Sequence, residues 1–153
     1  MKKILLPLAL ALGATLAAAA DRPYDESADA KAQIAVALHD AAEAREPVLL
    51  IFGANWCPDC RALDAALKTG RNAELMKKFK VVKVDVGRFD HNVDISTAYG
   101  NATKKGIPSA VIVSPDNRIL FITKAGELAN ARGMSEDGIW QFFTQAEAAS
   151  RQQ

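Results

Sequence analysis

The chain has 153 residues, one domain's length, and its 19 basic and 18 acidic side chains give a formal net charge of +1. That balance lacks the basic surplus on which nucleic-acid binding draws, and the composition excludes collagen-like, coiled-coil and low-complexity chains. Half of the residues are hydrophobic but 29 are alanine, so core material must come from the Val, Ile, Leu and Phe clusters downstream.

Met1-Lys2-Lys3, the apolar run Ile4 to Leu16 and the small residues Ala17 to Ala20 read as a secretory signal peptide, residues 1–20, cleaved after Ala19 or Ala20. A retained anchor is the competing reading; Pro7, Gly13 and the polar sequence from Asp21 favour cleavage. Without Lys2 and Lys3, residues 21–153 carry 17 basic and 18 acidic groups, a net charge of −1. A short basic leader implies export to a bacterial periplasm, where disulfide chemistry is permitted.

The mature chain reads as one domain. Ile34, Ala37, Leu38, Ala41 and Ala42 recur at helical spacing within 25–46, and Pro47 stops the helix. Val48 to Phe52 is a continuous apolar run, the mark of a strand covered on both faces. Leu63, Ala66 and Leu67 then share a helical face, with Gly70 as C-terminal cap and Asn72 capping a second short helix, 73–79. A strand is expected over 81–86, a loop over 87–93, and a helix capped by Asp94 and running to about Tyr99. Strands 110–113 and 118–123 flank the turn Ser114-Pro115-Asp116-Asn117 and predict an antiparallel hairpin. Ser135 caps a last helix with Ile139, Phe142, Phe143 and Ala146 facing inward, and Trp140 is expected in the core. This order predicts an α/β fold: a mixed four-stranded sheet with helices on both faces.

The two cysteines, Cys57 and Cys60, are too few and too close to staple a fold. They lie in Trp56-Cys57-Pro58-Asp59-Cys60, at a strand-to-helix junction. A cysteine there faces unpaired backbone N–H groups and the positive end of the helix dipole, which favour its thiolate. Cys60, one turn on, can reach Cys57, and Pro58 suits the first helical turn. The pair is suited to thiol–disulfide exchange, in which Cys57 would attack a substrate disulfide, a mixed disulfide would form, and Cys60 would resolve it. A C-x-x-C pair is also compatible with metal. His39 and His91 would complete four ligands by count, but their spacing fits no common zinc module.

The W-C-P-D-C sequence after an apolar strand, joined by Gly106-Ile107-Pro108 before another, resembles the thioredoxin superfamily, and most nearly its exported bacterial members. The resemblance covers about 47–121. It implies a thioredoxin-like fold, Cys57 attacking, Cys60 resolving, and the two forming a redox-active disulfide. It makes Trp56 and a cis Pro108 the walls of a substrate groove, with the Ile107 backbone pairing to an extended peptide. It implies a protein disulfide oxidoreductase without cofactor or bound metal, a reductant recharged by a membrane disulfide-interchange reductase, and a monomer. The alternative is a thioredoxin-like copper or zinc chaperone, or an assembly factor that holds a client without turnover.

Three departures stand out. The buried aspartate that such proteins carry six residues before the first cysteine is Ile51 here, whereas the neighbouring strand lysine is retained as Lys83. Asp59 or solvent, with Lys83, is therefore expected to manage the Cys60 proton. The segment from Lys83 to Gly106 is long, and the usual first strand is not evident. Gly126 to Met134 carries no recognisable chemistry.

Overall fold

The computed structural model describes residues 22–152. The leader and its cleavage site lie outside them.

The chain runs α1 (Ala30–Ala44), β1 (Val48–Gly53), α2 (Pro58–Leu67), α3 (Gly70–Met76), β2 (Lys80–Asp85), α4 (Val93–Ala98), β3 (Ser109–Val113), β4 (Ile119–Ile122) and α5 (Glu136–Ser150). The sheet order is β2-β1-β3-β4. β1 pairs parallel with β2, in a register that sets Ile51 beside Lys83, and antiparallel with β3. β3 and β4 form the expected antiparallel hairpin.

β1 is buried at every position, as its unbroken apolar sequence requires. Its alternate residues face two cores. Leu50 and Phe52 join Ile34, Ala37 and Ala41 of α1 on one side, while Leu49 and Ile51 join Leu63, Leu67, Ile139 and Phe143 of α2 and α5 on the other. The central strand thus ends between two packed layers, and Gly53 delivers the chain to the cysteines.

Several local expectations shift. Residues 25–28 form a turn rather than the start of α1, because Asp25 accepts the Ser27 N–H and hydroxyl; Asp29 then caps the helix through Ala32 N–H. Ala42 is exposed. Gly70 does not end a helix but begins α3, with Thr69 at its N-cap. Asn72 is buried inside α3, where its amide donates to the Glu136 carbonyl of α5, so a tertiary partner takes the side chain that local chemistry assigned to a cap. Asn92 precedes α4, and Asp94, in the first turn, pairs with Lys31 on the surface. Ser135 caps α5 as expected, accepting Gly138 N–H. Trp140 is half-buried, with the Arg71 guanidinium over its ring. Among the described residues no helix is long and apolar enough to cross a membrane.

Candidate active site

After Gly53 the chain turns once, with Cys57 N–H bonding Ala54 O at 3.1 Å. Cys57 is the N-cap of α2 and Pro58 its first residue. The Cys57 sulfur occupies the place of a capping oxygen and accepts Cys60 N–H at 3.2 Å. It also lies 3.8 Å from the Ile107 carbonyl oxygen, and the Ile107–Pro108 bond is cis. Both cysteines are free thiols and both are buried. Burial above all pushes the Cys60 thiol well above its ordinary value; its hydrogen bond with Cys57 and the charges of Cys57 and Asp59 add to this, while a backbone bond at Ala54 opposes it. Cys60 therefore needs a base before it can act as a nucleophile.

Trp56, 46% exposed, stands beside Cys57. Its indole N–H donates to Gly87 O at 2.7 Å, which ties the residue to the loop after β2. Phe89 packs edge-on against the ring at 6.3 Å, and the Arg88 guanidinium lies 5.9 Å from it. On the other side, the Asp59 carboxylate turns away from the sulfurs. It accepts Arg132 N–H at 3.0 Å and lies 3.6 Å from Arg132 Nε. The segment 126–134 thus joins the first turn of α2, with fully buried Leu128 as its anchor.

A second carboxylate, Asp64, lies one turn beyond Cys60 along α2 and is only 3% exposed. It accepts a hydrogen bond from Lys83, and its Oδ2 lies 2.6 Å from Lys68 Nζ. Tyr24 closes the site from the segment before α1. Its N–H donates to Asn55 Oδ1 at 3.0 Å and its carbonyl accepts from Asn55 Nδ2 at 2.8 Å. Its ring fills the space over Gly53. A cavity of about 10 Å³ is lined by Tyr24, Ile51, Leu63, Asp64, Leu67 and Lys83.

The sequence matches the thioredoxin-like family profile over residues 29–115. The disulphide isomerase of Xylella fastidiosa Temecula1 is similar at 51% identity and TM-score 0.81, covering 83% of this chain and 98% of its own. The chain belongs to the thioredoxin-like family. The reduced C-terminal domain of DsbD from Neisseria meningitidis shares the fold at 19% identity and TM-score 0.57, covering 78% of this chain and 97% of its own. The DsbH oxidoreductase does so at 19% and 0.58, covering 95% and 96%. No curated protein matches.

On this thioredoxin-like frame, Trp56, Cys57, Cys60, Ile107 and Pro108 come together. Lys83 approaches from β2 through Asp64. Asp59 is at the site but engages Arg132. His39 sits with Asp40 and Glu43 on the exposed face of α1, and His91 pairs with Asp85. Asp64 and Tyr24 are the residues that sequence reasoning missed. The Cys60-to-Asp64 spacing of four was a signal for the first; Tyr24 lies 36 positions before Cys60 and gave none.

Proposed function

We propose that the protein is an exported thiol–disulfide oxidoreductase that reduces disulfides of protein substrates. The observation carrying this is the Cys57 sulfur at the N-terminus of α2, within 3.8 Å of the Ile107 carbonyl oxygen. A thiolate there accepts Cys60 N–H and can attack a disulfide laid across the groove between Trp56 and Pro108, with the peptide backbone pairing to Ile107.

In the first step Cys57 S⁻ attacks one sulfur of the substrate disulfide. A Cys57–substrate mixed disulfide forms, and the other substrate sulfur leaves as thiolate. In the second, Cys60 gives its proton to a base and its thiolate attacks the Cys57 sulfur. The Cys57–Cys60 disulfide forms and the second substrate thiolate departs. Two electrons pass to the substrate in all, and no bound cofactor or metal enters. We assign the base to Asp64, with Lys83 as its supporting cation. The Asp59 carboxylate is taken by Arg132, and its negative charge makes Cys60 harder to ionise.

On this reading a membrane disulfide-interchange reductase recharges the pair after the leader is removed, and the protein acts as a monomer. The test is turbidimetric insulin reduction by residues 21–153 with dithiothreitol as recharging thiol. Activity lost in Cys57→Ser supports the reading; equal activity in that variant sinks it. The Xylella fastidiosa relative is described as a disulphide isomerase. Isomerisation shares the first step, so reactivation of scrambled ribonuclease without net reduction would reassign the protein to that role.

A further inference from the structure

The base that deprotonates Cys60 is only half of what its thiolate requires. A buried thiolate also needs hydrogen-bond donors to hold its charge. Cys60 is fully buried, its own N–H is committed to Cys57, and the backbone bond at Ala54 that favours its thiolate does not offset its burial.

Tyr24 brings a further donor to the neighbourhood of the Cys60 sulfur. A methyl group placed on Gly53 would collide with the Tyr24 hydroxyl and Cζ and come within 3.0 Å of the Cys60 sulfur. The Tyr24 hydroxyl therefore takes the place a side chain at Gly53 would occupy, and that place adjoins the Cys60 sulfur. The cavity of about 10 Å³, close to the volume one water molecule needs, joins Tyr24 to Asp64 and Lys83. Tyr24 is buried in the same cluster as both cysteines. It is held there by its backbone: the two bonds to Asn55 fasten it to the loop that carries Cys57, and Asn55 Nδ2 also reaches Glu26 at 2.9 Å.

We propose that the Tyr24 hydroxyl is the positioning donor for Cys60, so that the segment before α1 completes the active site of the oxidoreductase. The inference rests on the oxidoreductase reading above. Asp64 takes the Cys60 proton; the Tyr24 O–H donates to the resulting S⁻ and keeps its own proton throughout. Once the Cys57–Cys60 bond forms, the sulfur is neutral and the donor is released. The phenol is suited to this duty. Burial first, then the negative charges of Cys60, Asp64, Cys57 and Asp85, hold it protonated well above its usual range. A group that stays protonated can donate and cannot compete with Asp64 as base.

The experiment compares wild type with Tyr24→Phe, which keeps the ring and removes the O–H. A mixed disulfide is formed with a chromogenic thiol, and release of that thiol by Cys60 is followed between pH 6 and 10. The expected result is resolution about ten-fold slower at pH 7, with the profile displaced to higher pH and alkylation of Cys57 by iodoacetamide unchanged. An unchanged resolving rate overturns the proposal. So does a slower rate with an undisplaced profile, or an equal loss in both steps, since either marks a purely structural role. Failure of the wild type to resolve the mixed disulfide would instead sink the oxidoreductase reading.

A second readout avoids deleting the hydroxyl. The chain has two tyrosines, so fluorotyrosine labelling in Tyr99→Phe marks Tyr24 alone. Its fluorine resonance should differ between the reduced and oxidised protein; coincident resonances overturn the proposal.

Discussion

Asp64→Asn separates the fold from the chemistry most cleanly. The substitution keeps size and shape but removes the charge that Lys83 and Lys68 face. Asp64 is 3% exposed and Lys83 27%, so the pair is sheltered without being dry. Breaking a fully buried pair costs about 3–5 kcal/mol. The remaining water at Lys83 and the surface position of Lys68 reduce this to about 2 kcal/mol. At a urea slope of about 2 kcal/mol per molar, the midpoint of the oxidised protein falls by about 1 M. Loss of a general base slows resolution of the mixed disulfide by about 100-fold at pH 7, while the first attack by Cys57 is unaffected. Urea unfolding and stopped-flow thiol release measure the two effects. Ile51→Asp added to Asp64→Asn places a carboxylate beside Lys83 in the β1–β2 register, and should restore about ten-fold of the lost rate. An Asn variant that resolves at the wild-type rate would refute the role of Asp64. An unmoved midpoint would refute the energetic weight of the pair.

Gly53→Ala drives a methyl group into Tyr24 and should cost about 1–3 kcal/mol in urea unfolding; a neutral result would contradict the close packing of Tyr24 on β1. Asp59→Ala frees the Arg132 N–H and should lose about 1 kcal/mol without slowing resolution, because removing its charge eases Cys60 ionisation; a slower step would return Asp59 to the base's role. In Cys57→Ser, folding keeps the Cys60 thiol protonated after the unfolded chain's thiol has ionised. The unfolded state then binds fewer protons, and stability should fall from about pH 8.5 upward by at most about 1.4 kcal/mol per pH unit. The reference is the double variant Cys57→Ser, Cys60→Ser, and parallel pH curves for the two would show that burial does not hold the proton on Cys60.

Much of this architecture was legible because its signals are local. Val48 to Phe52 has no polar residue, and only a strand covered on both faces uses such a run. The Ser114 to Asn117 turn set the hairpin, and Asn117 does take a left-handed backbone, φ 63°. The cysteine spacing together with Gly106-Ile107-Pro108 located the centre of the site. What stayed hidden depends on distant partners. Asn72 has the chemistry of a cap, yet α5 claims its amide. Asp59 sits between the cysteines in sequence, yet Arg132, 73 positions on, claims its carboxylate. With Ile51 in place of the strand carboxylate, the sequence alone points to Asp59 or solvent, with Lys83. The fold supplies a carboxylate from the next turn of α2, facing the same Lys83, so the position of a charge is kept while its place in the chain changes. Tyr24 could not be read at all, because only folding carries the segment before α1 over Gly53.

The reduction potential of the Cys57–Cys60 pair in residues 21–153, equilibrated against glutathione buffers and read by thiol trapping and mass, bears most directly on the central claim. A reductant requires a value near about −270 mV, and that is the result predicted. A value near about −120 mV would make the protein a disulfide donor, and failure to form any intramolecular disulfide would contradict the redox role of the two cysteines altogether.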